Sequence, residues 1–519
     1  MTFIETAALA ETRPPIDIPA VAPWDEHNRK WVQFVHPPDW TNPTPSGRYN
    51  LLVIGAGPAG LVAAIGAAGL GAKVALVEKH LLGGDCLNVG CVPSKALIRA
   101  GNAFAAVRDA GAFGVRVPDG VEVDFPAVMQ RLRRKRAGLS RHDSVERLKG
   151  LGVDVFIGSG YFTGVDTFEI GGARIVFSRA CIATGARAAA PPIAGLEDVE
   201  YLTNETVFTL TELPPRLGVI GAGPIGCELA QAFRRFGSEV HLIEATHGVL
   251  PRDDRDAAEI VKQSLLHDGV NFYCCGKKTH VEQDGAAIRL RFDSHDRGYD
   301  IPVDKLLVAV GRAPNVEGLG LEAGSVEFDK RGIKVDDRLR TSNKRIFAAG
   351  DVASRYQFTH AADFMARIVI GNALFFGRSK AGALTIPWCT YTQPSLAHVG
   401  KTAEQLAGER TPFQTFTVQM EEIDRAVLDG EDEGFVRVHA SPKGSILGAT
   451  IVAAHAGDLI GEVSLAMTHN LGLGQIAKAI HPYPTQGEAV RKVGDAYNKS
   501  RLTPRVERLF KTLLAWRRR

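Results

Sequence analysis

The chain has 519 residues, 45% of them apolar, which is too many for one core and suits two to four packed domains. Its 61 Lys and Arg against 58 Asp and Glu leave a net charge of +3, giving no general electrostatic reason to bind nucleic acid. No apolar run reaches the roughly 18 residues of a membrane span, MTFIETAALAETRPP lacks the pattern of a signal peptide, and seven cysteines are too sparse for a secreted disulfide framework, so a cytoplasmic protein is expected.

Residues 1–47 are rich in Pro and Trp without a sustained period and read as an arm, packed on the body or loose. At Asn50 the texture changes: NLLVIGAGPAGLVAAIGAAGLGAKVALVEKH is an apolar run, a glycine turn, a small-residue helix and a second apolar run ending in an acid, which is one βαβ unit. Then comes GGDCLNVGCVPSK, with Cys86 and Cys91 five positions apart; if a helix begins there, they lie within about a turn and a half and can meet where the first turn is distorted. A thiol near a helix N-terminus has a lowered pKa. The basic run RLRRKR at 131–136 is expected to open one long helix, RLRRKRAGLSRHDSVERL, and to form its solvated face.

The βαβ grammar returns at 217 in LGVIGAGPIGCELAQAFRRFGSEVHLIEAT, and in both copies the acid (Glu78, Glu244) follows the third glycine (Gly60, Gly226) by 18 residues. Gly55, Gly57 and Gly60, like Gly221, Gly223 and Gly226, fit a turn that lets a pyrophosphate approach the backbone at a helix N-terminus, with the acid on an adenosine ribose. A carboxylate at Glu244 repels a 2′-phosphate, which favours NADH over NADPH, although Arg252 and Arg255 lie just downstream. Runs ending in glycine near 181, 307 and 347 read as buried strands. Cys274 and Cys275 fall at a strand end, where neighbouring side chains point to opposite faces, so they read as an incidental pair; Cys181, Cys227 and Cys389 read as packing residues. From about 386, strand-like GFVRVHA and GSILGATIVA and helical AGDLIGEVSLAMTHNLG form a separate α+β unit. The tail RVERLFKTLLAWRRR is an amphipathic helix expected to dock on its own domain.

GGDCLNVGCVPSK, the two glycine loops, CIATGA, VAVGRAPN and IFAAGDVA, in this order, resemble the FAD-dependent pyridine nucleotide-disulfide oxidoreductases over about residues 48–505. The resemblance implies an α/β fold with two Rossmann-like FAD- and NAD(P)-binding domains and a C-terminal α+β dimerisation domain. The divisions are an arm 1–47, FAD-binding parts 48–190 and 313–385, an NAD(P)-binding domain 191–312, a dimerisation domain 386–505 and a basic tail 506–519. It implies FAD at the first loop, contacted by Gly55, Gly57, Pro58, Ala59, Gly60, Glu78, Lys79, Gly84, Lys95, Thr184, Gly185, Asp351 and Thr359, and NADH or NADPH at the second, with Gly221, Gly223, Gly226, Glu244 and Gly311. Cys91 is then the thiol beside the flavin, Cys86 the interchange thiol, and Lys95 and Glu228 the ion pair near the flavin's reactive nitrogen. Electrons pass from nicotinamide through flavin to the cysteine pair.

The family's base is a histidine in a His-Pro-Thr segment followed by an orienting glutamate, contributed across a homodimer interface. Aligning Pro484, Thr485 and Glu488 with it places Tyr483 at the histidine position, the preferred register; the other places His481 there, with Gln486 at the glutamate position. A tyrosine is a poor base at neutral pH, and its presence there resembles mercuric reductase, in which Cys86 and Cys91 would ligate Hg(II) transiently as substrate. No cysteine follows Cys389, and no Cys-x-x-Cys module precedes the body, as that likeness would require for metal delivery. A dihydrolipoyl dehydrogenase-type disulfide reductase and a slow-turnover redox-sensing flavoprotein are the alternatives.

Overall fold

A computed structural model describes residues 21–518. The first βαβ unit forms as its sequence dictates: Arg48–Ile54 and Val74–Glu78 pair in parallel, joined by the helix Pro58–Gly69. They lie in a 7-stranded sheet in which Arg48–Ile54 also pairs in parallel with Ala173–Ile182, and the short strand Ile346–Ala348 pairs with the latter. Chain far downstream thus returns to the first unit. The segment Gly160–Ile182 adds an antiparallel meander at one side.

The second unit builds a 4-stranded parallel sheet from Arg216–Ile220, Glu239–Ile243, Asn271–Tyr273 and Lys305–Val308. An antiparallel meander, Lys277–Val303, is inserted before its last strand. In both units the third glycine is demanded by packing: a Cβ on Gly60 or Gly226 would lie 1.8 Å from the carbonyl oxygen of Gly55 or Gly221. From Trp388 to Ala453 the chain forms a 5-stranded antiparallel sheet, backed by the helices Ala456–Thr468 and Glu488–Ser500. It has its own apolar core, including Val436, Ile451, Val463 and Val493.

Three expectations are corrected. The basic run does not open one long helix: a helix spans Phe125–Ser140, then a tight turn leads to a separate helix Val145–Gly150. The run is a solvated face only in part: Arg134 and Lys135 are exposed, but Arg133 and Arg136 are buried, at 7% and 4% exposure, against the N-terminal arm. The tail helix Pro504–Arg517 forms but buries no residue; Leu509, Phe510 and Leu513 are exposed. The arm packs on the body through the helix Glu26–Val35, whose Trp31, Val32 and Val35 enter the first core; residues 1–20 lie outside the described chain. Among the described residues no helix is long and apolar enough to cross a membrane.

Candidate active site

The cysteine segment folds into two helices, Gly84–Asn88 carrying Cys86 and Cys91–Arg108 beginning at Cys91, with Val89 and Gly90 as the break. Gly83 N–H donates to the Ala56 carbonyl at 2.8 Å, fastening the segment to the first glycine loop. A Cβ on Gly84 would lie 2.6 Å from Gly57 Cα, so the cysteine segment and the loop are in direct backbone contact.

The break lets the two thiols meet and share a hydrogen bond, while Cys91 Sγ also lies 3.5 Å from Thr359 Oγ1 at the start of the helix Thr359–Leu374. Cys91 is lowered to about 6, chiefly by the Cys86 hydrogen bond, then by Thr359 and the Lys95 ammonium, against the opposing effect of burial. Cys86 is raised because it supplies that hydrogen bond and is itself desolvated. One thiolate is therefore held at Cys91 and one proton at Cys86 near neutral pH. In the reduced protein, carboxymethylation of Cys91 is expected to rise through a midpoint near pH 6, because iodoacetate attacks the thiolate that forms as pH climbs through the pKa. A midpoint near the ordinary thiol value, measured by peptide mass spectrometry, would contradict this.

Lys95 lies one turn along the Cys91 helix and donates to Glu228 Oε2 at 2.7 Å. Glu228 is 5% exposed, and its other oxygen accepts from Tyr391 N–H at 2.9 Å; the Lys95 ammonium sits 4.6 Å from the Tyr391 ring centroid. The ion pair joins the Cys91 helix to the second unit's helix Pro224–Phe236. Asp351 follows the strand Ile346–Ala348; burial raises it to about 6, with Arg312 at 3.6 Å opposing and Asp85 adding to the rise. Arg312 also pairs with Asp85 and donates to the Ala186 carbonyl at 2.8 Å. Thr184 Oγ1 donates to the Asn315 carbonyl at 2.7 Å, and Gly185 beside it holds a φ of 68°.

At the two glycine loops the acids behave alike. Glu78 accepts from Ala56 N–H at 2.7 Å and His80 N–H at 2.8 Å; Glu244 accepts from Ala222 N–H at 2.8 Å and from Thr246 N–H and Oγ1 at 2.9 Å. The Arg255 guanidinium is engaged by main chain, donating to the carbonyls of Val249 at 3.1 Å, Leu250 and Asp253 at 2.7 Å.

The 481–488 segment is not brought to the cysteines within one chain. Tyr483 is 70% exposed and donates to Asp424 Oδ2 at 2.7 Å, which raises its pKa. Glu488 accepts from Arg491 at 2.8 Å instead of engaging Tyr483, His481 lies 3.0 Å from Glu462, and Gln486 donates to Glu431 at 2.8 Å.

Asn88, between the two cysteines, is expected from sequence only to favour an irregular turn; it is 6% exposed and its long-range contacts were not foreseen. Its Oδ1 accepts from Trp31 Nε1 at 3.0 Å, its carbonyl from Arg136 at 2.8 Å, and its amide donates to Leu81 and Leu82 carbonyls at 3.1 and 3.2 Å. The Arg136 guanidinium stacks 3.7 Å from the Trp31 ring centroid and donates to Asn28 Oδ1 at 2.8 Å. The arm and the basic run thus brace the peptide between Cys86 and Cys91. The signal available in sequence was the tryptophan-rich arm, with Trp31, Val32 and Val35 on one helical face, and Arg133 and Arg136 at i, i+3 spacing.

The family model for pyridine nucleotide-disulphide oxidoreductases matches residues 49–366, and that for their dimerisation domain matches 386–493. A mercuric reductase of Lysinibacillus sphaericus is 34% identical over 87% of this chain and 83% of its own length. A dihydrolipoyl dehydrogenase of Chlamydia muridarum is 32% identical over 85% of this chain and 95% of its own. Among solved structures, the HOCl-induced flavoprotein disulfide reductase RclA of Escherichia coli superposes with a TM-score of 0.77 at 27% identity, covering 86% of this chain and 99% of that one.

Proposed function

The chain belongs to the pyridine nucleotide-disulphide oxidoreductase family, and on that footing we propose that Cys86 and Cys91 relay electrons from NAD(P)H, through FAD, to a thiol-reactive acceptor. The observation that carries it is the paired thiols, one ionised near pH 6, pressed by backbone contact against a dinucleotide-type loop. FAD fits this setting: a Cβ at Gly55, Gly60 or Gly84 would strike backbone, Glu78 sits at the loop with lone pairs to share with ribose hydroxyls, and Asp351 is a buried carboxylate beside Arg312. When bound, FAD supplies two-electron exchange between the nicotinamide and the cysteine pair. The chain's own residues do the rest. Glu228 fixes the Lys95 ammonium, Lys95 and Thr359 stabilise the Cys91 thiolate, and the raised Cys86 retains the proton until the acceptor arrives.

The second loop fits NAD(P)H by the same packing, and NADH is favoured because Glu244 occupies the ribose edge while Arg255 is spent on main-chain carbonyls. A homodimer accounts for an exposed Tyr483 on the dimerisation domain.

For the acceptor we favour Hg(II): two thiolates suit a soft cation, and its reduction to Hg(0) takes the two electrons of NAD(P)H and releases one proton with NAD(P)+. Tyr483, held as a hydrogen-bond donor by Asp424, offers no base for a leaving thiol. One observation favours a disulfide reductase instead: His481 and Glu462 form a histidine–carboxylate pair at 3.0 Å two residues from Tyr483. The FAD-loaded protein is expected to oxidise NADH with Hg(II) and excess thiol, releasing elemental mercury, at least about tenfold faster than with lipoamide or glutathione disulfide. Lipoamide turnover without mercury release would move the enzyme to the dihydrolipoyl type.

A further inference from the structure

Outside the relay, the described residues contain one cluster with metal-ligating composition: His247, Cys274 and Cys275, whose ligand atoms all lie within 4.8 Å of one another. Opposite-facing side chains were expected here and are not found. The strand Asn271–Tyr273 ends just before Cys274, and Cys275 takes a left-handed φ of 58°, which turns both sulfurs to one side. This conformation is uncommon for a residue with a Cβ.

His247 Nδ1 lies 4.0 Å from Cys274 Sγ and 3.7 Å from Cys275 Sγ. A tetrahedral Zn(II) site, with Zn–S of about 2.3 Å and Zn–N of about 2.0–2.1 Å, has S···N edges of about 3.5 Å. From the turn between the strands Ala287–Ser294 and Arg297–Val303, His295 brings Nε2 to 3.1 Å from Cys274 Sγ. The scaffold behind these donors is hydrogen-bonded: Ser294 Oγ donates to the Cys274 carbonyl at 2.6 Å, Cys275 N–H to the Thr246 carbonyl at 3.0 Å, and Gly276 N–H to the Glu244 carbonyl at 2.9 Å.

We propose that Cys274, Cys275 and His247 form a site for a thiophilic d10 cation of the Zn(II) type, separate from the redox pair, with solvent as the fourth ligand. Two thiols and one imidazole match three of the four ligands of tetrahedral zinc, and occupancy would tie the loop after Glu244 to the segment that leads into the inserted meander. The proposal does not depend on which acceptor the enzyme uses.

The test is anaerobic titration of the full-length, FAD-loaded Cys86→Ser/Cys91→Ser protein, under a non-thiol reductant, with Co(II) as the spectroscopic probe and Zn(II) as competitor. About one Co(II) per chain should bind with tetrahedral ligand-field bands and thiolate charge-transfer absorption, and Zn(II) should displace it. Adding Cys274→Ser and Cys275→Ser should remove the thiolate absorption, and His247→Ala should weaken binding more than about tenfold, with flavin content and circular dichroism unchanged. Cys389→Ser should change nothing. Absence of the bands in folded protein, or their survival without Cys274 and Cys275, would overturn the proposal.

Discussion

Cys86→Ser is expected to abolish acceptor-dependent NAD(P)H oxidation, by at least about 10³-fold, while flavin content stays at the wild-type level. Serine occupies the same space and can still donate a hydrogen bond to Cys91, so the largest cause of Cys91's lowered pKa survives in kind. What it cannot do is form a disulfide or offer a thiolate to a soft acceptor. Flavin retention follows because the segment is fastened to the first loop by the Gly83 to Ala56 backbone bond and the Gly84 to Gly57 contact, neither of which uses the Cys86 side chain. Steady-state turnover and the flavin absorbance of the purified variant decide the matter. Wild-type turnover, or loss of flavin, would remove Cys86 from the relay.

Trp31→Ala is expected to cost about 3–5 kcal/mol of stability, the usual range for deleting a large buried aromatic side chain. Trp31 is 2% exposed, so truncation opens a cavity beneath the arm. It also strips the aromatic face from a buried Arg136 and the donor from Asn88 Oδ1. Because Asn88 stands between the cysteines, the effect should reach the thiols: the pH midpoint of Cys91 alkylation should move upward from about 6 as the Cys86 contact loosens. Trp31→Phe keeps the ring over Arg136 and loses only the N–H bond, and should recover most of the stability with a smaller shift in midpoint. Urea unfolding of the FAD-loaded variants measures the first effect and alkylation the second. A Trp31→Ala protein within about 1 kcal/mol of wild type would mean that the arm rests on the body without bracing it.

The two nucleotide-binding units were legible because their determinants are local. Strand, glycine turn, helix and terminal acid fall within about 30 residues, and Gly60 and Gly226 are dictated by one close approach each. The cysteine pair was legible for the same reason, as two thiols brought together by a distorted first turn, which in the structure is a break at Val89 and Gly90 between two helices. The brace was not, since Trp31 meets Asn88 across 57 residues and Arg136 meets Asn28 across 108. A basic run reads as solvated unless its partner is known, and here the partner face is the arm. Cys274 and Cys275 were misread because the alternation rule assumes extended backbone, and the left-handed Cys275 breaks it. The tail helix was legible as an amphipathic element, but its apolar side finds no packing partner among the described residues.

The central claim is that Cys86 and Cys91 carry electrons, and anaerobic titration of the oxidised, FAD-loaded protein with NADH, followed by alkylation and peptide mass spectrometry, tests it most directly. Uptake should reach about two equivalents of NADH per FAD, the first passing through the flavin to the cysteines, so that Cys86 and Cys91 become open to alkylation after it, and the second remaining on the flavin. Saturation after about one equivalent, with both cysteines equally alkylated before and after NADH, would contradict it.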